Sequence, residues 1–518
     1  MTDPRTATTP RGEQHYAESD ALTDARDLTS RVAANTLAQL VAPSLRVVLG
    51  IVLIAALSRR LGVDGLGEYA LVFTYVALFN VVFNDWGLCT IVLREISRRP
   101  DDRSSLISSA AAFQAVISLA SYLLMLGGLL FIGYSRAVTH ASIVYGLTLF
   151  AGPMTVLALP LQAELRLSEL MLPSVAQVVL NFALSIAVLA AGGPLVALAA
   201  ASLGAVAVQS IWIARLTWRY GGPWRTAFSA TSLRRWRRLA FEAWPIGVAS
   251  TLKMAWQQGP VMVLGAVSLG ATGLFHAANR VPQQIVVLPL AMNATMFPLL
   301  ARSWHRDRDR FAVQLDRLVG GTLFVVVPGV VFGVATAGML VRVLLGPEFA
   351  AAATPYALLL VAAGLLFPII FLAEALNAAG FQRLNLWILA ALTPLMTALV
   401  IVLALRAGAT GVAAALCIGY GAYLAALAGG AIVRLGRAAP LAALGAAIIA
   451  AAAGALAVAL TSSAGGIVAG TMGAAAAVLV FALLRRDVVM AMVRVVGWRR
   501  FSNGRVVLQE ALDGQRAT

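Results

Sequence analysis

The sequence predicts an all-α membrane protein with about fourteen transmembrane helices. Three observations carry that reading. Apolar residues make up 60% of the 518-residue chain and charged residues only 12%, where a soluble protein carries about a quarter charged residues. The mean hydropathy is +0.85. The apolar residues also come in blocks long enough to cross a bilayer, which takes ~20 residues per helix.

The same composition excludes other classes. A formal charge of +16, from 39 basic and 23 acidic residues, would point to nucleic acid in a soluble protein. Here the arginines sit between apolar blocks, where the topology rule accounts for them better. Cys89 and Cys417 both lie inside apolar blocks without metal or redox spacing and read as small core residues. The four histidines form no HExxH or Cys/His cluster, and there is no GxxxxGK[ST]. Neither a metal, a cofactor nor ATP hydrolysis is therefore expected.

Taken in order, residues 1–30 are polar, with six acidic residues against three arginines. They lack a basic stretch followed by an apolar one, so they read as a disordered cytosolic tail rather than a signal peptide. Spans are expected near 33–57, 67–93, 105–133, 142–165, 172–192 and 194–216, forming an N-lobe over 31–216. A basic cytosolic linker follows over 217–239. Spans near 240–267, 272–300, 312–344, 352–379, 384–405 and 411–433 form a C-lobe over 240–433. Two more, near 439–461 and 465–485, complete the segment 434–485, and 486–518 is a second cytosolic tail. Gly466 and Gly470 have the small-xxx-small spacing of closely packed helices.

Arginine placement orients the chain. With both termini in the cytosol, the inner segments hold Arg94, Arg98, Arg99 and Arg103, then seven arginines between 215 and 238, then Arg302, Arg306, Arg308 and Arg310. The outer segments hold only Arg59, Arg60, Arg136, Arg342 and Arg406.

The linker divides the first twelve spans evenly, and the halves share a motif. Leu61-Gly-Val-Asp-Gly-Leu recurs as Leu269-Gly-Ala-Thr-Gly-Leu, 208 residues further on, and at that offset Arg94 falls on Arg302. Identity between these landmarks is poor, and chance is the competing explanation. Six spans per copy keep the orientation, so the pseudo-twofold axis is expected along the membrane normal.

Ionisable residues deep in a bilayer are costly and point by default into a cavity or onto a partner. Asn35, Gln39, Pro43 and Arg46 share one face of span 1, and Ser250, Lys253, Gln257 and Pro260 one stripe of span 7. Each lobe's first helix thus carries a cation near mid-depth; a pair made for packing is the alternative. Lys253 is the chain's only lysine. His276, Arg280, Gln283 and Gln284 line one side of span 8, and Asn80, Asn84 and Asp85 lie in span 2. Asp85 and Glu374 are candidate counter-ions for these cations, or candidate sites for a coupling proton or sodium ion. Prolines 245, 260, 282, 289 and 298 mark expected kinks at the start of the second lobe.

With these residues in view, the chain resembles the polysaccharide-biosynthesis flippases of the multidrug/oligosaccharidyl-lipid/polysaccharide exporter superfamily. The matching features are Leu61-Gly62, Gly65-Leu66-Gly67, Tyr69, Asp85-Trp86-Gly87-Leu88 and Arg94-Glu95, then segments 297–304, 344–349 and 377–387. The resemblance implies two six-helix lobes in a V, with the last two helices appended, in the bacterial inner membrane. It implies a non-enzymatic flippase for an oligosaccharide on a polyprenyl diphosphate, working alongside glycosyltransferases and a glycan polymerase. The lipid II flippase of that superfamily is said to use cavity arginines; span 1 here offers only Arg46, which disfavours a peptidoglycan precursor. On this view Arg46, Lys253 and Arg280 hold the anionic diphosphate, while Gln39, Gln257 and Asn84 contact sugar hydroxyls. Glu374 then takes the coupling ion, and Asp85 pairs near Arg94. Two other functions compete: a cation-coupled multidrug exporter, which would want an acidic cavity, and a membrane glycosyltransferase or polymerase. The latter usually carries a large loop with paired carboxylates, and residues 217–239 contain none.

Overall fold

A computed structural model describes residues 11–84, 86–98, 103–164, 166–219, 230–436 and 439–490. Among them there is no strand. The helices are α1 (Arg11–Phe79), α2 (Leu88–Arg98), α3 (Arg103–Ile132), α4 (Arg136–Gly146), α5 (Gly152–Leu157), α6 (Leu159–Ala163), α7 (Leu167–Ala190), α8 (Leu195–Arg219) and α9 (Ala230–Val267). They continue with α10 (Leu269–Ile285), α11 (Val287–Arg306), α12 (Arg308–Ala335), α13 (Ala337–Leu345), α14 (Ala353–Ala378), α15 (Gln382–Leu435), α16 (Leu441–Thr461) and α17 (Gly466–Leu484). Helix begins at Arg11, inside the stretch expected to be a disordered tail. Residues 13–42 contain neither glycine nor proline and are rich in Ala and Leu, residue types that favour helix. Low hydropathy alone does not separate a polar helix from a disordered segment.

Among the described residues, nine helices are long and apolar enough to cross a membrane. One of them, α15, covers two expected spans, divided where Gly408 takes φ 52°. The expected spans outside the nine are the first, second, seventh and eighth, the four that carry the polar stripes.

Local breaks have local causes. Gly62 (φ 67°) turns α1 between its two expected spans, a conformation that glycine adopts without Cβ strain. The expected span over 142–165 is helical but segmented. It is built from α4, a 3-10 turn (Leu147–Ala151), α5 and α6. Pro153 and Pro160 withhold the N–H that the carbonyls of Leu149 and Val156 would need. The span over 272–300 is likewise cut between α10 and α11, four residues before Pro289, whose ring crowds the Ile285 carbonyl. The second span breaks differently, through a π-helical turn (Asn80–Asn84) and then Gly87 at φ 82°.

The chain groups into two compact units, one of residues up to 56 with 72–254, the other of 57–71 with residues from 255 onward. In the first, an apolar core forms where α2, α3, α5, α6 and α9 meet, around Leu88, Ile91, Val92, Leu106, Val156 and Leu239. Gly87 and Gly247 make that approach possible: a Cβ at Gly87 would lie 2.6 Å from Ile246, and one at Gly247 2.5 Å from the Trp86 ring.

In the second unit α14 is the central helix. Of its apolar window 56% is buried, against 17–39% for the other candidate spans, and Phe367 and Phe371 are fully enclosed. An α-helix apolar on all sides belongs in such a position. Gly466 and Gly470 of α17 seat against Ala335 and Phe332 of α12, and Gly473 lies against Gly454 of α16. Arg485, just past α17, is buried and pairs with Asp316 of α12 and with Asp487 at 3.0 Å. The guanidinium holds the Asp487 carboxyl below the usual carboxylate range.

Candidate functional site

Polar side chains within each unit gather into three constellations. The first surrounds the π-helical turn. Asn84 is buried, and its Oδ1 accepts from Gln114 Nε2 and Ser118 Oγ, both at 2.7 Å. Its Nδ2 donates to Asn80 Oδ1 at 2.9 Å and to the Leu149 carbonyl at 3.1 Å. Gln114 Nε2 also reaches the Asn84 carbonyl at 2.7 Å. A π-turn leaves main-chain groups out of register with the helix ladder, and here Gln114 supplies the bond for that carbonyl. Asn84, expected to contact a ligand, is thus enclosed in a network that satisfies its amide.

The second constellation lies in the other unit. Asn377 Nδ2 donates to Glu374 Oε2 at 3.2 Å, both on α14. Tyr423 of α15 lies within electrostatic range of Glu374, and its hydroxyl donates to Asn385 Oδ1 at 2.7 Å. The Tyr423 ring meets Trp256 of α9 at 5.8 Å, and Trp256 stacks on Tyr420 and donates from Nε1 to Thr393 Oγ1 at 2.9 Å. Glu374 therefore sits half-buried beside amide and phenol groups. The fold of α15 at Gly408 brings Asn385 to Tyr423, so neither sequence spacing nor periodicity marks the pair.

The third is an ion network in the first unit, between α2 and the start of α9. Glu242 accepts from Arg94 Nη2 at 2.9 Å and from Arg238 Nε at 2.8 Å. Arg238 Nη2 reaches Glu95 at 3.5 Å. Arg94 was expected to be near Asp85, which lies outside the described residues; its described partner is Glu242.

The remaining expected site residues are placed as follows. Arg46 and Lys253 are both exposed and both belong to the first unit. Gln257 is exposed and Arg280 half-buried, both in the second. Arg280 is one helical turn from His276, whose ring meets Tyr69 edge-on at 6.3 Å. Gln39 falls within α1, its side chain outside the described residues. Among the described residues, no group of three or more His, Cys, Asp or Glu side chains is arranged to hold a metal ion.

Comparison with known proteins gives the following. A family model described as polysaccharide biosynthesis protein matches residues 32–304. No curated protein matches the chain in sequence. Among solved structures, the lipid II flippase MurJ in an inward closed conformation superposes with a TM-score of 0.67 at 13% identity, over 87% of this chain and 99% of that one. An inward-facing multidrug resistance MATE family transporter of the MOP superfamily gives 0.60 at 17% identity, over 78% and 98%. A MOP superfamily transporter from Pyrococcus furiosus gives 0.57 at 16% identity, over 79% and 96%. At these identities the likeness establishes the fold, that of multi-pass helical membrane transporters.

Proposed function

The chain belongs to the polysaccharide biosynthesis protein family, and from that premise we propose that it is a flippase for a polyprenyl-diphosphate-linked oligosaccharide. It carries the glycan from the cytosolic to the outer leaflet of the bacterial inner membrane by alternating access, with both termini in the cytosol. The family match carries the reading, and the fold shared with a lipid II flippase supports it.

The chemistry fits such a cargo. A lipid-linked oligosaccharide joins an apolar tail, an anionic diphosphate and a polar glycan. Arg46 and Lys253, exposed on helices of an otherwise apolar protein, offer the diphosphate charge-assisted hydrogen bonds, and Arg280 is a third candidate. Gln39 and Gln257 are candidates for sugar hydroxyls. Asn84 drops out of this set, because its amide is already satisfied. Glu374 is proposed to take the coupling proton or sodium ion. Its Asn377 and Tyr423 neighbours supply polar atoms beside the carboxylate.

The MATE neighbours motivate a second reading, a cation-coupled exporter of cationic drugs. The exposed cations Arg46 and Lys253 repel such a cargo, which favours the flippase.

The test is flipping of a fluorescent polyprenyl-diphosphate oligosaccharide in proteoliposomes. Arg46→Ala and Lys253→Ala should each slow flipping by about tenfold or more, the scale of one lost hydrogen bond to a charged group. Glu374→Gln should abolish stimulation by an imposed pH or sodium gradient while leaving substrate binding intact. Wild-type rates in both alanine variants would remove the cations from the path. A wild type that exports ethidium and does not flip the glycolipid would establish the second reading.

A further inference from the structure

Independently of the transport reading, we infer that the first unit binds a phospholipid whose headgroup joins a phosphate to a primary ammonium, as in phosphatidylethanolamine. The site is a cleft of about 160 Å³ between α2, α3 and the start of α9.

Its two levels differ in chemistry. The base is formed by Ile91, Leu106 and Leu239, which belong to the apolar core of the unit. The rim carries Arg235 and Arg238 on one side of the charge balance and Glu95 and Glu242 on the other. Arg235 is tied to α3 by a 2.7 Å bond from Nη1 to Ser105 Oγ. Arg238 uses Nε for Glu242 at 2.8 Å and Nη2 for Glu95 at 3.5 Å. The longer contact is at the limit of a hydrogen bond and is readily exchanged for a ligand's, and Nη1 takes part in neither.

Charge matching selects the headgroup. A simple anion would satisfy the guanidiniums and bring its charge against two carboxylates. A simple cation would do the reverse. A headgroup carrying both charges meets both kinds of group, the phosphate on the arginine fork and the ammonium on Glu95, because both oxygens of Glu242 already accept from Arg94 and Arg238. A primary ammonium brings three N–H donors, whereas a trimethylated one brings none.

The level in the membrane points to a lipid rather than a soluble phosphate. Trp236, between the two arginine pairs, donates from Nε1 to the Ser109 carbonyl at 2.8 Å and stacks on Phe113 at 5.5 Å. A half-buried tryptophan with a polar tip and flanking arginines is the arrangement of a membrane–water boundary. Arg234 and Arg237 are exposed beside it. A headgroup in the cleft has its glycerol and chains beside the apolar base.

The test is a native mass-spectrometry titration of the full-length protein with phosphatidylethanolamine, its mono-, di- and trimethylated counterparts and phosphatidylglycerol, all with the same acyl chains, and with glycerophosphoethanolamine. The wild type should bind phosphatidylethanolamine about fivefold or more tightly than the trimethylated lipid, with a graded decline between, as loss of hydrogen bonds to the Glu95 carboxylate requires. Glu95→Gln should erase that preference and keep binding; Arg235→Gln should weaken all the phospholipids alike. Equal binding across the methylation series overturns the proposal without any variant. So does tighter binding of phosphatidylglycerol, a preference that survives Glu95→Gln, or glycerophosphoethanolamine binding as tightly as the lipid.

Discussion

Asn84 engages its side-chain amide and its carbonyl with four partners from the neighbouring turns and helices. Replacing it by alanine leaves Gln114, Ser118 and the Leu149 carbonyl short of a bond in a buried setting. We expect Asn84→Ala to lower stability by about 2–4 kcal/mol, read as a drop of the thermal midpoint of the detergent-solubilised protein. Loss of flipping with an unchanged midpoint would instead return Asn84 to the substrate path. The polarity of Asn84 inside an apolar block was legible from the sequence, and so was that of Glu374. Their partners were not, because Gln114 is 30 positions from Asn84 and Asn385 is 38 from Tyr423. Only tertiary packing joins residues at such separations.

At the scale of elements, the two copies of the repeated motif meet each other within the second unit. A Cβ on Gly67 would lie 2.1 Å from the Leu269 carbonyl oxygen, and one on Gly273 1.9 Å from that of Val63. The contact is reciprocal: each glycine receives the carbonyl four residues before the other. Gly65 is different, since the nearest neighbour of its added Cβ would be the Leu61 side chain, at 3.0 Å, rather than a carbonyl of the other segment. Gly67→Ala and Gly273→Ala should therefore force the backbones apart and reduce folded yield and thermal midpoint. Gly65→Ala should stay within roughly 0.5 kcal/mol of the wild type. Equal effects in all three would show that helix propensity, not close approach, decides. The sequence suggests that the two segments are copies and says nothing of the contact between them. The best alignment pairs Gly65 with Gly273, whereas the packed pair is Gly67 with Gly273, because the crossing point depends on where the two helix axes meet. Proline breaks were more legible. Pro289 acts on the carbonyl four positions before it, a local rule. The π-helical turn at Asn80–Asn84 contains no breaker at all, so nothing local announced it.

At the scale of the molecule, the arginine asymmetry yields a prediction of its own. In a background lacking Cys89 and Cys417, Asp309→Cys should react with an impermeant maleimide only from the cytosolic side and Ser463→Cys only from outside. Both positions are exposed. Labelling of both from one side would overturn the span count between them, and reversed labelling the orientation. The grouping into two units also separates what a linear pattern can and cannot hold. Fold class, helix positions and the break between spans near 407 follow from hydropathy, glycine and proline, whose effects act within one helical turn or one bilayer thickness. The sequence by itself therefore determined that this is a helical membrane protein, roughly where its helices lie, and which four of them carry polar faces. The tertiary structure alone decided that residues 57–71 group with the second half of the chain and α9 up to residue 254 with the first. It also decided that Asn84 is enclosed while Arg46 and Lys253 are exposed. The reason is physical: periodicity states which side of a helix is polar, but the neighbour on that side is set by contacts between segments hundreds of residues apart.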